Sequence, residues 1–410
     1  MATDKLEIGI KLVTEFHTIV KLRWKTENDY IIKGKEWLDE ITVTYNDPDI
    51  SKHMKDVLLN ATYEFAKVAN TQDPYYALIM KGGGIKGLAY IGALEELSKF
   101  YEFNWYAGTS AGAITATLLS ANHTTEELKT ILSEKNFKDF KDAYFIKAIL
   151  NFFTKSGFYE ANTFLEWLNN LLAIKLNSTT PVRLVDLPFR TTIYASNKST
   201  SALIFDSTLE ETKNVNAAFA ARCSMSIPII FTPQKSQGLN IFDGGLQNNF
   251  PLSLLLKDNP GTDFLGLYLG NETFKWKKNN IFKDTFQIWT ESSDPEILRN
   301  YKEQIIVIDP SPISTLKFNL NKKEKDFLLE AGRLAALSFL DKKKLIDKSE
   351  FDFTQRKINL DKQRTTLKKR KNFLNLLRLA GFILLVTGLY FWEYVCEISK
   401  ICIDLFLHLI

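Results

Sequence analysis

Residues 75–87 read YYALIMKGGGIKG: an apolar run, a lysine, three consecutive glycines, then the start of a helical pattern. A short run of aliphatic and aromatic residues suits a strand covered on both faces. Gly82, Gly83 and Gly84 let the chain turn sharply into a helix that begins near Gly87. Such a turn leaves several backbone N–H groups unpaired at a helix N-terminus, a place that favours negative charge.

The next unit repeats the theme. Residues 103–121 read FNWYAGTSAGAITATLLSA, a strand expected at Phe103–Tyr106 followed by Gly108-Thr109-Ser110-Ala111-Gly112 and a helix. A Gly-x-Ser-x-Gly turn between strand and helix holds its serine in a strained, exposed conformation, and its small neighbours allow helix and strand to approach. Further strands are expected at 191–195, 202–206, 239–242, 263–269 and 304–308. Helices are expected at 91–97, 113–121, 125–132 and 162–172, with a capping box between Thr124 and Glu127. Strands alternating with helices imply an α/β layer sandwich with a mostly parallel sheet.

Ser110 needs a base. In the usual hydrolase order a histidine follows the acid, but of His17, His53, His123 and His408 only His408 comes late enough, and it lies in an apolar tail. His123 is expected on a surface loop. A carboxylate is the better candidate. Asp243 ends the run Leu239–Phe242, and Gly244 and Gly245 let the backbone turn so that its side chain meets Ser110. An ordinary aspartate, with a pKa of about 4, is a weak base near neutrality, and partial desolvation by a bound acyl substrate would improve it. The N–H of Ala111, following the nucleophile, joins the glycine-turn donors as an oxyanion cradle, each donor contributing about 3 kcal/mol.

Other readings of these motifs stay open. Gly82, Gly84 and Gly87 also satisfy Gly-x-Gly-x-x-Gly, the dinucleotide-binding fingerprint, which requires an acid at the end of the second strand. Glu102 falls near the right distance but precedes that strand. A phosphate-binding P-loop lacks its terminal Gly-Lys-Ser/Thr. A non-catalytic lipid-binding or assembly protein on the same fold is a further alternative.

Together these stretches resemble the patatin-like phospholipases, a family of lipid acyl hydrolases. The likeness spans about 75–309. It includes the glycine-rich motif Gly82–Gly87 with its basic residue Lys86, the elbow Gly108–Gly112, and Asp243–Pro251, reading DGGLQNNFP. Ser226-Ile227-Pro228 with Phe231 and Pro233 adds to it. The resemblance implies a three-layer α/β/α fold and a Ser110–Asp243 dyad without histidine. It also implies no cofactor or catalytic metal, and oxyanion donors at Gly83, Gly84 and Ile85 with Ala111. It implies membrane phospholipid as substrate. Some bacterial members are antiviral effectors switched on by cyclic nucleotides, so the resemblance implies a small-molecule activator, while a homo-oligomer would follow if the C-terminal helices pair.

Around this catalytic region, at 73–340, the sequence divides into a helical N-terminal extension (1–72), a basic linker (341–371) and an apolar C-terminal tail (372–410). Hydrophobic residues make up 45% and charged ones 24%, an ordinary globular balance. The net charge is +4, yet 341–371 holds twelve Lys/Arg against five Asp/Glu, a local +7 that leaves −3 for the rest. A nucleic-acid binder spreads its basic residues over a folded face. Here they gather before the most apolar stretch, which points to a membrane surface and not to nucleic acid. Leu379–Trp392 lacks charge, and extended to Phe373–Val395 it reaches spanning length, with Arg378 snorkelling. A buried or oligomer-forming helix pair is the alternative. Cys223, Cys396 and Cys402 have no zinc-ligand spacing and argue against a secreted disulfide framework. With no signal-peptide core at the N-terminus, a cytoplasmic, membrane-associated protein is expected. Phe137–Tyr159, rich in Phe, Tyr, Ile and Lys, reads as a lid, a membrane-docking surface or a core helix.

Overall fold

The computed structural model describes residues 27–69, 76–199, 202–236, 238–270 and 294–408. His17, Pro74, Tyr75 and the rest of the N-terminal extension before Glu27 lie outside them. The chain divides into two compact units, 1–357 and 358–410.

In the first unit, α1 (Glu27–Asn46) and α2 (Lys52–Ala69) make up the described part of the N-terminal extension. β1 (Tyr76–Met80) leads through a 3-10 turn (Gly84–Gly87) into α3 (Leu88–Leu97). β2 (Trp105–Thr109), α4 (Ala111–Ser120) and α5 (Thr125–Glu134) follow. The Thr124–Glu127 capping box forms at the start of α5 as expected. Next come α6 (Phe145–Lys155), β3 (Gly157–Tyr159), α7 (Asn162–Leu176), β4 (Arg190–Ser196) and β5 (Leu203–Asp206). Then come α8 (Ala217–Ser224), β6 (Ile229–Phe231), β7 (Gln234–Ser236), β8 (Leu239–Asp243) and α9 (Leu252–Asp258). β9 (Asp263–Leu269), α10 (Asp294–Asn300), β10 (Ile305–Ile308) and α11 (Lys322–Lys342) complete the layers.

The central sheet has the order β10-β9-β1-β2-β4-β8-β7, with β5 also paired to β4. Its core from β10 to β4 is parallel, while β5, β8 and β7 add an antiparallel edge. Alternation along the strands sends Ala77, Ile79, Trp105 and Ala107 to one face, where Leu252 and Leu255 of α9 and Ile297 of α10 cover them. The other face carries Met80 and Gly108, which meet α4 at Gly112. Behind α4's neighbours, α3 packs along α11. Helices on both faces make the expected three-layer α/β/α fold, and they explain why every residue of β1 and β2 is buried.

The chain runs outward from β1 in both directions, to β2 and β4 on one side and to β9 and β10 on the other. The crevice at the carboxyl ends of such strands is where open α/β sheets bind ligands. The glycine turn and Ser110 sit at that edge. Although β8 is antiparallel to β4, its last residue Asp243 pairs with Ala195 near the end of β4, so it reaches the same edge.

The second unit is the body of α12 (Phe353–His408). The stretch expected as a linker is therefore helical from Phe353 onward, and the tail is a continuation of the same helix. Nothing between Phe353 and Ala380 breaks it, because that run has no proline or glycine and is rich in Lys, Arg and Leu. The expected membrane span is not found: among the described residues no helix is long and apolar enough to cross a membrane. The charge-free segment of fourteen residues rises about 21 Å, against a hydrocarbon core of about 30 Å, and Arg378 and Glu393 bound it. Phe373, Phe382, Leu384, Phe391 and Trp392 are exposed on this helix. The side chains of Tyr390, Tyr394 and 395–410, including Cys396 and Cys402, lie outside the described set.

Candidate active site

The strain expected at the elbow is present. Ser110 has φ 52° and ψ −116°, between the last residue of β2 and the first of α4. Two glycines allow this. A Cβ on Gly108 would lie 2.4 Å from the backbone of Gly112, and one on Gly112 would lie 2.2 Å from the Met80 carbonyl oxygen. Helix and strands touch here with only hydrogens between them.

Residues with no catalytic motif of their own hold the elbow. The Ser110 N–H donates to Ser224 Oγ at 2.8 Å, and Ser224 Oγ donates to the Tyr194 carbonyl at 2.6 Å. Thr109 Oγ1 donates to the Asn248 carbonyl at 2.9 Å, and the Gly82 N–H donates to the Asn249 carbonyl at 2.8 Å. The loop after Asp243 is thus fastened to both the elbow and the glycine turn.

Asp243 is buried, with the Ser110 hydroxyl close enough to pull its carboxyl downward. Its N–H donates to the Ser226 carbonyl at 2.9 Å, while its Oδ1 accepts from the Gly245 N–H at 2.7 Å. Burial pushes the carboxyl up from 3.8 to about 6, against the opposing pull of the Gly245 N–H and the Ser110 hydroxyl. The desolvation that the sequence reading assigned to substrate is already supplied by the fold.

Behind Asp243 stands Arg222, another buried residue that sequence reasoning missed. Its guanidinium donates to the Glu160 carbonyl at 2.7 and 3.2 Å, to the Thr232 carbonyl at 3.0 Å and to Ser226 Oγ at 2.7 Å. Burial lowers its pKa to about 10, so it stays charged. Arg222 and Ser224 both lie on α8, whose only local signal is Asn216, a cap that accepts from the Phe219 N–H before an alanine-rich run.

The glycine turn divides its donors. Among the described residues the N–H groups of Gly83 and Gly84 make no hydrogen bond, and the N–H of Ala111 opens the first turn of α4. Ile85 departs from expectation: its N–H donates to the Thr315 carbonyl at 3.2 Å, so it is committed to the fold. Its contribution is instead a side chain lining the pocket. Gly84, at φ +55°, could not carry a Cβ, which would lie 2.4 Å from the Thr315 carbonyl oxygen. The Lys86 N–H closes the turn on the Gly83 carbonyl at 3.3 Å. Gly87 faces Ala111, where an added Cβ would come 2.8 Å from the alanine's own, and Gly244 lies against the Tyr194 carbonyl.

The histidines do not replace Asp243. His123 follows the far end of α4, a helix of ten residues that rises about 15 Å. It is buried rather than on the surface as expected, it sits 3.4 Å from Glu127, and burial lowers its pKa. His53 lies 4.0 Å from Asp347. The dinucleotide alternative also weakens, since Glu102 precedes β2 and the carboxyl end of that strand holds Ser110. Among the described residues no group of three or more His, Cys, Asp or Glu could hold a metal ion.

Ser110 forms part of a pocket with about 640 Å³ of unfilled space, counting its open mouth. Ile114, Leu132, Phe140, Trp167, Met225 and Phe231 are among the side chains that line it. A nucleophile set in so apolar a wall suits an acyl chain better than a polar substrate.

Comparison with known proteins agrees with this geometry. The chain is 28% identical over 287 residues to the uncharacterized protein YqhO of Bacillus subtilis, covering 64% of this chain and 97% of that one. It is 25% identical over 194 residues to the probable lipid hydrolase 463L of Invertebrate iridescent virus 6, covering 45% and 64%. Triacylglycerol lipase 4 of Saccharomyces cerevisiae is 29% identical over 212 residues, covering 44% of this chain and 22% of the yeast protein. The sequence model of the patatin-like phospholipase family matches residues 78–256, a span that holds the glycine turn, Ser110 and Asp243. Over that span the chain carries a match to the patatin-like phospholipase family, and the proteins it is similar to include ones named as a lipid hydrolase and a triacylglycerol lipase.

Proposed function

We propose that the chain is a serine acyl hydrolase of phospholipase A type, cleaving acyl esters of membrane glycerophospholipids from the cytoplasmic side. The observation that carries this reading is a buried Asp243 carboxyl, raised by desolvation and met by the Ser110 hydroxyl, beside an apolar pocket. With its pKa near 6, Asp243 is mostly ionised at neutral pH yet basic enough to accept a proton.

In the proposed reaction, Ser110 Oγ attacks the ester carbonyl while its proton passes to Asp243. The oxyanion that forms is met by the N–H groups of Gly83, Gly84 and Ala111. The tetrahedral intermediate collapses as Asp243 returns the proton to the leaving lysolipid alkoxide. Water then attacks the acyl-serine, giving up a proton to Asp243, and Asp243 returns that proton to Ser110 Oγ as the C–O bond breaks and fatty acid departs. The apolar wall holds the acyl chain, so the head group stays at the mouth. The local +7 over 341–371 supports approach to an anionic membrane.

The test is fatty-acid release from phospholipid vesicles by the wild type, Ser110→Ala and Asp243→Asn, with folding followed by circular dichroism. Release by the wild type and its loss in both folded variants is the expected result. Release that survives Ser110→Ala would overturn the assignment. A wild type that binds vesicles without releasing fatty acid would favour the lipid-binding alternative.

A further inference from the structure

The segment between the pocket and α7 contains an apolar surface that the fold does not use. α6 is held by its inner face: Ala148 and Asn151 are buried, Asn151 Nδ2 donates to the Phe158 carbonyl at 3.3 Å, and Phe152 stacks on Phe158 at 5.0 Å. Its outer face carries Ile149, Leu150 and Phe153, the last two 59% and 79% exposed, with Tyr144 at the helix start 91% exposed. These positions repeat at helical spacing, so they form one stripe. A helix with apolar residues on both faces buries one against the protein and leaves the other to something else.

The elements on either side of the stripe also help to line the pocket. On one side, Phe137 and Phe140 line the pocket just before α6 begins. On the other, α6 packs on β3, which pairs in parallel with β6 through Gly157–Ile229 and Tyr159–Phe231. Phe231 lines the pocket, whereas Ile229, at φ +72°, is 56% exposed. Charge is consistent with this. Residues 137–159 contain four lysines (Lys138, Lys141, Lys147 and Lys155) and two aspartates. Asp142 is consumed by the N–H groups of Glu160, Ala161 and Asn162, and Asp139 by Lys135. Lys147 and Lys155 share one carboxylate, Glu160, at 3.9 and 2.9 Å. An apolar stripe edged by a net excess of lysine suits the interface of an anionic bilayer, where apolar side chains enter the acyl boundary and ammonium groups stay among the phosphates.

We infer that α6 is a docking helix that inserts Leu150 and Phe153 into an anionic phospholipid surface and seats the mouth of the Ser110 pocket on it. An acyl chain then moves from the bilayer along Ile229 and Phe231 to the nucleophile without crossing water. This inference rests on the lipid-hydrolase reading for its purpose, but not for its test.

The experiment uses the full chain with Leu150→Glu/Phe153→Glu, and a milder Leu150→Gln/Phe153→Gln pair in case the first fails to fold. Hydrolysis is measured on vesicles of phosphatidylglycerol and phosphatidylcholine and, in parallel, on soluble p-nitrophenyl butyrate. Vesicle hydrolysis is expected to fall tenfold or more in the acidic pair and severalfold in the amide pair, with soluble-ester hydrolysis within twofold of wild type. Unchanged vesicle hydrolysis in a folded variant overturns the inference. A second readout does not require catalysis: amide hydrogen exchange over residues 144–155 in Ser110→Ala, with and without the same vesicles. Slower exchange with vesicles supports docking even if the chain hydrolyses no lipid. No change overturns it, as does slowing that follows protein concentration alone, which would assign the stripe to a second copy of the chain.

Discussion

The backbone N–H of Ser110 donates to the hydroxyl of Ser224 at 2.8 Å, a bond between a strained elbow and a helix more than a hundred residues further along the chain. Without it, a residue at positive φ would have its N–H buried and unpaired, and the Tyr194 carbonyl would lose its donor too. An orphaned buried polar group costs about 1–3 kcal/mol. Ser224→Ala should therefore lower kcat about tenfold while leaving KM for a soluble ester within twofold. A change in KM alone would mean that Ser224 acts on substrate binding and not on the elbow.

Asp243 sets the pH dependence. Its carboxyl titrates near 6 in the fold, so kcat/KM for a soluble ester should rise with pH through about 6 and level off above 7. The consequence for stability has the opposite sign. The folded value exceeds the unfolded one of 3.8, so the native state holds the proton more tightly, and stability falls as pH climbs from about 4 to about 6. That difference corresponds to about 3 kcal/mol. Asp243→Asn should abolish activity yet raise Tm at pH 8, and thermal melts at pH 4 and pH 8 measure the effect. An equal Tm difference from wild type at both pH values would refute the cause given.

Gly84→Ala places a methyl group 2.4 Å from the Thr315 carbonyl oxygen at φ +55°. The left-handed conformation alone costs about 1–2 kcal/mol in a non-glycine residue. Relief of the clash must move the turn, and with it the Gly84 N–H. We expect kcat to fall a hundredfold or more with a modest loss of Tm. Wild-type kcat in this variant would remove the turn from the oxyanion cradle.

The acyl slot can be shortened from the nucleophile's own helix. Ile114 lies on α4 one turn beyond Ser110 and lines the pocket. Ile114→Trp should reduce hydrolysis of p-nitrophenyl palmitate at least tenfold and spare the butyrate ester. An equal loss on both chain lengths would place the acyl chain elsewhere.

Arg222→Lys keeps a charge but loses the fork that reaches Glu160, Thr232 and Ser226 together. A lysine cannot satisfy all three acceptors in that geometry. A stability loss of about 2–4 kcal/mol is expected by chemical denaturation.

Much of this architecture was legible in the residues themselves. The strand at Asp263–Leu269 matches its expected bounds, because a continuous apolar run flanked by Thr262 and Gly270 has few alternatives. β2 was expected to stop at Tyr106 and instead continues through Thr109. Gly108 and Thr109 look like turn residues, but β1 and β4 draw them into the ladder through Met80 and Tyr194. Ser110 and Asp243 could be found because their motifs carry glycines at fixed offsets. Ser224 and Arg222 could not, since their roles arise from α8 packing against the elbow, which no local spacing encodes. The commitment of Ile85 to Thr315 was hidden for the same reason: its partner sits in a loop more than two hundred residues away. Hydropathy at the C-terminus suggested a linker and a span, whereas helix propensity carries one helix through both.

The antiparallel course of β8 has a consequence for biosynthesis. Because Asp243 lies on a strand translated long after the elbow, a nascent chain that stops before it has the Ser110 hydroxyl but not the carboxylate proposed to act on it. On the proposed mechanism, ribosome-bound intermediates and products terminated before that point would hydrolyse no lipid.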